Sequence, residues 1–260
     1  MIISGLGSCS TPSPLPTETA TSTPSYSATT TSTSTPTISP TAATTSTSSP
    51  TPCLVEFTDV AQENTFYPFI RCLACQGILG GYADGTFRPN NDVTRGQLSK
   101  IVSSAAGFND PPGAQRFEDV PPSNTFFAWI GALASRGYIS GYPCGAAAEP
   151  CGVDNRPYFR PNANATRGQI SKIVANAANI NDPLGEQIFE DVEPGSTFYD
   201  WVQRLANLGV MSGYLCGSLG EPCLPGDRAY FRPNTNATRG QTAKIVANTF
   251  FPGCDPRVRP

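Results

Sequence analysis

Arginine follows threonine at the same place three times in this chain: Thr94-Arg95-Gly96-Gln97, Thr166-Arg167-Gly168-Gln169 and Thr238-Arg239-Gly240-Gln241. Each tetrapeptide runs into an apolar pattern of helical period, such as Leu98, Ile101, Val102 and Ala105, and so predicts a helix start. The threonine hydroxyl is placed to accept from the glutamine's backbone N–H, while the glutamine side chain reaches back to the threonine's own N–H, which is a capping box. The arginine then occupies the first helical position, where free N–H groups and the positive end of the helix dipole favour an anion. Arg95, Arg167 and Arg239 are accordingly predicted to bind a carboxylate or related anion. The competing readings are a solvated side chain or a partner for a nearby carboxylate such as Asp92. In the anion-binding reading the arginine is partly exposed and its removal leaves stability nearly unchanged, because threonine and glutamine hold the helix end.

The elements that must position these residues recur with them. Each copy opens with Phe-x-Asp-Val at Phe57, Phe117 and Phe189, followed by a first helix begun by Thr65-Phe66-Tyr67, Thr125-Phe126-Phe127 or Thr197-Phe198-Tyr199. Its apolar face is expected at Phe66, Ile70, Leu73 and Ala74 and at the matching positions of the other copies. Gly77, Gly137 and Gly209 are expected to end it in the left-handed cap position. Then come Tyr82, Tyr142 and Tyr214, candidates for stacking on a sugar ring or for core packing. The repeated Asp-Val marks lie 60 and then 72 residues apart, whereas the Thr-Arg marks lie 72 apart both times, so copies two and three carry an insertion of twelve residues. Trp129 and Trp201, with Phe69 at the matching place, read as groove rim or core, and Lys100, Lys172 and Lys244 as surface charges. Asn164-Ala165-Thr166 and Asn236-Ala237-Thr238 match a glycosylation pattern, yet they read more simply as the approach to a helix cap.

Cysteines mark the insertions. Cys144 and Cys151, and Cys216 and Cys223, bracket short loops at equivalent positions, which predicts two disulfides and an oxidising compartment. Zinc is the rival reading, because Cys72 and Cys75 have C-x-x-C spacing, but no second matching pair lies near them. Cys53, Cys72, Cys75 and Cys254 allow three pairings, and the sequence does not choose among them. No metal and no cofactor are expected. The chain of 260 residues has no histidine, which removes histidine-dependent triads and the commoner zinc sites and argues against an enzyme. Its net charge of -3 with no basic run points away from nucleic acid. Residues 10–52, nearly all Thr, Ser and Pro, have too little apolar surface to offset their ordering entropy and read as a disordered linker or a glycosylated stalk.

Together Phe-x-Asp-Val, Gly81-Tyr82-Ala83-Asp84-Gly85-Thr86-Phe87-Arg88-Pro89 and the Thr-Arg helix start closely resemble the S-layer homology module, three times in tandem over about residues 57 to 251. One such helix-loop-helix unit cannot bury its apolar faces alone, so three must pack together, most economically around a pseudo-threefold axis. The resemblance implies a mainly α fold shaped as a three-pronged spindle at a bacterial cell surface or wall, outside the cell. It also implies non-covalent anchoring to an acidic, typically pyruvylated, secondary cell-wall polysaccharide held in grooves between modules. The family's arginine in Thr-Arg-Ala-Glu corresponds to Arg95, Arg167 and Arg239. This chain departs from the family pattern with glycine for alanine, glutamine for glutamate, and Phe66, Phe126 and Phe198 nearest the place of a usual tryptophan.

The domains expected are 1–9, a remnant of a lipoprotein signal; 10–52, the linker; 53–109, 110–181 and 182–254, the modules; and 255–260, a tail. Leu6-Gly7-Ser8-Cys9 resembles a lipobox, so membrane attachment through a lipidated Cys9 is one expectation and an upstream domain lost by truncation another. The alternative function is a self-assembling or adhesin-like surface protein acting through protein contacts.

Overall fold

The computed structural model describes Cys53 and residues 55–254; the expected signal remnant, the whole of the expected linker and the expected tail lie outside the described residues. The fold is mainly α, and among the described residues pairing between extended segments is limited to isolated bridges. Six helices follow in order: α1 (Tyr67–Cys75), α2 (Arg95–Ala105), α3 (Phe127–Ser135), α4 (Arg167–Ala177), α5 (Tyr199–Asn207) and α6 (Arg239–Phe250). A single 3-10 turn, Pro252–Cys254, ends the described chain.

The first helix of each copy starts within the expected tripeptide, at Tyr67, Phe127 and Tyr199, so that Phe66, Phe126 and Phe198 are its cap residues. In α1 and α3 the cap is held by an Asx turn, with the Asn64 or Asn124 side chain accepting from the phenylalanine N–H at 2.8 Å. The fully buried face is Ile70 and Leu73, Ile130 and Leu133, Val202 and Leu205, while the three phenylalanines are half-buried. Gly77, Gly137 and Gly209 terminate these helices at φ of 71°, 72° and 68°, the conformation a side chain disfavours.

The Phe-x-Asp-Val motif proves to be a backbone clamp. Asp59 accepts from both Phe87 N and Arg88 N at 2.7 Å, and Asp119 and Asp191 hold the equivalent pairs in the other copies. This bidentate grip sustains a positive φ of 60° at Arg88, Arg160 and Arg232, a conformation costly for a residue with a side chain. The phenylalanines beside it pair ring to ring, Phe57 with Phe87 at 5.3 Å and likewise Phe117 with Phe159 and Phe189 with Phe231.

Neighbouring copies exchange helices. The second helix of one copy packs on the first helix of the next, giving the pairs α2 with α3, α4 with α5 and α6 with α1, while α2, α4 and α6 meet one another. Backbone bonds close the cycle: Val93 N donates to Ala237 O, Ala237 N to Ala165 O, and Ala165 N to Val93 O, at 2.9 to 3.0 Å. Val93, Ala165 and Ala237 are fully buried there. Above them Asn164 and Asn236 both donate to Asp92 at 2.8 Å, so the two sequon asparagines use their amides to join the copies.

Four disulfides tie this frame. Cys144–Cys151 and Cys216–Cys223 close the insertions, and the pairing left open by the sequence is Cys53–Cys75 with Cys72–Cys254.

Candidate functional site

At each start of α2, α4 and α6 the capping box is formed on both sides: Thr94 Oγ1 accepts from Gln97 N, and Gln97 Oε1 accepts from Thr94 N, each at 3.3 Å, with the same pattern at Thr166/Gln169 and Thr238/Gln241. The next copy uses the remaining donors. Arg95 N donates to Ala163 O and Gly96 N to Pro161 O at 2.8 Å, and the corresponding pairs run from Arg167 and Gly168 to Thr235 and Pro233, and from Arg239 and Gly240 to Asn91 and Pro89. The expectation of free N–H groups waiting for an anion is therefore corrected, because these donors already make the backbone joints between copies.

The arginines themselves are buried, at 7, 5 and 6% exposure for Arg95, Arg167 and Arg239. Arg95 Nε donates to Phe159 O at 2.8 Å and its Nη2 to Ser140 O at 3.1 Å; Arg167 reaches Phe231 O and Ser212 O, and Arg239 reaches Phe87 O and Gly80 O. Burial lowers all three guanidinium pKa values from the ordinary one, with the nearby tyrosine opposing. The expectation of partly exposed arginines is thus overturned, and bonds of this kind argue against their being structurally dispensable. Each is a staple between one copy and the next, and Asp92 is not its partner.

Three open grooves lie at the junctions, with volumes of about 260, 220 and 230 Å³. In the first, Gly80 to Tyr82 with Gln97 and Lys100 come from copy one, Arg239 from copy three, and Thr125 and Phe126 from copy two. The second is built around Tyr142, Gln169 and Lys172 with Arg95 and Phe198, and the third around Tyr214, Gln241 and Lys244 with Arg167 and Phe66. Every groove thus draws on all three copies in cyclic order.

The lysines expected as surface charges do lie at the surface, Lys100 exposed and Lys172 and Lys244 half-buried, and each also lines a groove. Lys100 Nζ lies 4.9 Å from the Trp129 ring centroid, Lys172 Nζ 4.9 Å from that of Trp201, and Lys244 Nζ 5.8 Å from that of Phe69. Among the described residues none of these ammonium groups is within ion-pair distance of a carboxylate. They were read as surface charges because each points away from the arginine of its own helix. The arginine that shares its groove comes from another copy.

Trp129 and Trp201 do not line the grooves; they stand behind the lysines, and Trp201 Nε1 donates to Asn176 Oδ1 at 2.9 Å. The tyrosines do line them. Each tyrosine hydroxyl accepts from the capping glutamine, Gln169 Nε2 to Tyr142 at 3.3 Å for example, and each ring carries a guanidinium at about 4 Å: Arg88 over Tyr82, Arg160 over Tyr142 and Arg232 over Tyr214. Those rings are therefore already engaged on a face by protein. Glutamine in place of glutamate serves cap and tyrosine together, and leaves the groove without a negative charge beside its lysine.

The stacked arginines are set by carboxylates. Copy one uses Asp84, 2.8 Å from Arg88, whereas in copies two and three the disulfide loops supply Glu149 and Glu221, which grip Arg160 and Arg232 through both oxygens at 2.6 to 2.7 Å. Hydrogen bonds from Thr86 and Arg88 hold Asp84 well below the usual carboxylate range, and the arginine bonds lower Glu149 and Glu221. Finally, Gly96 and Gly240 face Phe126 and Phe66 so closely that a Cβ would sit 2.5 Å from the ring, and Gly168 faces Phe198 in the same way. The glycine and phenylalanine departures from the family pattern are thus two halves of one contact.

The pattern of the S-layer homology domain matches the chain at residues 56–99, 116–170 and 188–243. Curated relatives include an endoglucanase of Bacillus sp. (strain KSM-635), 26% identical over 201 residues that cover 75% of this chain and 19% of that protein. Cell surface glycoprotein 1 of Acetivibrio thermocellus is 27% identical over 185 residues, 65% of this chain and 7% of its own length. The surface-layer 125 kDa protein of Lysinibacillus sphaericus is 24% identical over 203 residues, 75% of this chain and 16% of its own. The chain spans less than a fifth of the length of each of these three relatives.

Proposed function

Because the chain belongs to the S-layer homology domain family, whose modules anchor proteins at the bacterial cell surface, we propose that it grips an acidic polysaccharide of the wall in its three grooves. The observation that carries this reading is the lysine ammonium in each groove, free of ion pairs and backed by an aromatic ring. A carboxylate on a sugar, such as a pyruvyl ketal, gives that ammonium the anion it lacks, and hydroxyls meet the tyrosine and glutamine at the groove wall. Arg95, Arg167 and Arg239 contribute by fixing the walls and by their positive field. Repetition of one site around a cycle suits a repeating polymer, which can engage several grooves at once and gain avidity. The chain's share is anchoring rather than catalysis; residues 53–109, 110–181 and 182–254 serve as the modules and residues 10–52 as a spacer. A lipidated Cys9 or a further domain upstream fits the same reading.

The test is co-sedimentation of the protein with purified cell walls before and after acid-labile polysaccharide is stripped from them. Binding that disappears with the polysaccharide supports the reading, and binding that persists on bare peptidoglycan refutes it.

Self-assembly through protein contacts is the second reading, favoured by Leu215 and Leu219, 86% and 106% exposed on the third copy's disulfide loop. Concentration-dependent sedimentation that a Leu215→Ser, Leu219→Ser variant abolishes is its expected signature.

A further inference from the structure

Two of the three helix pairs are joined by chain, and one is not. Residues 106–126 connect α2 to its partner α3, and residues 178–198 connect α4 to α5. The third pair, α6 with α1, brings together the last helix and the first, with no connecting segment between them. Cys72 lies on α1 and Cys254 in the turn just past α6, so their disulfide, spanning 182 residues of sequence, stands where the missing connection would be. A second observation sets this pair apart from α4 with α5. Asn176 on α4 accepts from Trp201 on α5, but the matching residues on α6 and α1 are Asn248 and Phe69, and Asn248 Oδ1 is buried without a partner.

We infer that Cys72–Cys254 is a thiol-openable latch on which the third groove, and in part the first, depend, while the second groove does not. Thr65 and Phe66, at the start of α1, form one wall of the third groove. The segment after α1 carries Gly80, whose carbonyl accepts from Arg239 in the first groove. No residue of α1 or α6 lines the second groove. Opening is a two-electron step: a dithiol reductant gives up two electrons and two protons, the Cys72–Cys254 bond breaks to two thiols, and the reductant becomes a disulfide. Cys254 is buried, whereas Cys75, Cys151 and Cys223 are exposed, so the latch is the last of the four bonds to yield.

The full-length Cys72→Ser, Cys254→Ser variant tests the latch by amide hydrogen exchange. Exchange across 67–75 and 239–250 should rise about tenfold or more, while 167–177 and 199–207 stay protected as in the parent. If the variant does not fold, oxidised protein is reduced stepwise with dithiothreitol, and exchange with only the other three disulfides open is compared with exchange once alkylation shows Cys72 and Cys254 free as well. Unchanged protection of α1 and α6 after the latch is open overturns the proposal.

A second arm rests on the anchoring reading. In latchless protein, Lys172→Ala should remove most of the remaining binding of extracted wall polysaccharide, while Lys244→Ala should add no further loss; equal effects of the two overturn the assignment of grooves. Should the parent itself bind no wall polysaccharide, the anchoring reading falls and hydrogen exchange alone decides the latch.

Discussion

At the scale of single residues, the two kinds of cation have separate tasks. Arg95, Arg167 and Arg239 spend their donors on backbone carbonyls of the adjoining copy, so replacing one with alanine removes two charge-assisted bonds and leaves buried carbonyl oxygens unpaired. Each such variant should lose about 2 to 3 kcal/mol of stability in chemical denaturation. A loss under about 0.5 kcal/mol would show that the staple is idle. The capping threonine was legible in the sequence because its side-chain chemistry is local. The arginine's partners were not, since they lie 45 to 159 residues away and only the packing of copies brings them near. The carboxylates that set the stacked arginines give a pH signature. Asp84, Glu149 and Glu221 are held below their ordinary values by bonds made in the folded state. Their contribution is therefore full above about pH 4 and lost as pH falls through the lower folded values. Melting temperature should drop on acidification, and a Glu149→Gln, Glu221→Gln variant should show a shallower drop.

At the scale of elements, close contact and covalent bonds set the joints. Gly96→Ala should push Phe126 off the start of α2 and destabilise the protein by about 1 to 3 kcal/mol as an overpacked site does; a smaller ring substitute, Phe126→Leu, should recover part of the loss in the same unfolding assay. Among the disulfides, the chain-entropy argument assigns about 5 kcal/mol to Cys72–Cys254, whose ends are 182 residues apart, and about 2 kcal/mol to each short loop with a separation of 7. Selective removal of each pair, followed by denaturant titration, checks that order. Helix positions and the left-handed glycine ends followed from period and composition alone. The exchange of first helices between copies did not, because an apolar face such as Ile70 and Leu73 is equally satisfied by its own copy's second helix or by a neighbour's. That the lysines also line grooves was not legible for the same reason: a position on one helix says nothing of the helix that another copy lays beside it.

At the scale of the whole molecule, three equivalent grooves around a closed cycle suit the repeating acidic chain proposed as their ligand, and the lysines are where that proposal is most exposed. Lys100, Lys172 and Lys244 make no ion pair with any described residue, so their removal should leave the fold intact. The direct measurement is a titration of extracted wall polysaccharide into the parent and into the Lys100→Ala, Lys172→Ala, Lys244→Ala variant at low and at high salt, with melting curves alongside. The account predicts that the parent binds and weakens with salt. It also predicts that the triple variant loses at least about a hundredfold in affinity with an unchanged melting temperature. A folded triple variant that binds the polysaccharide as tightly as the parent would contradict it.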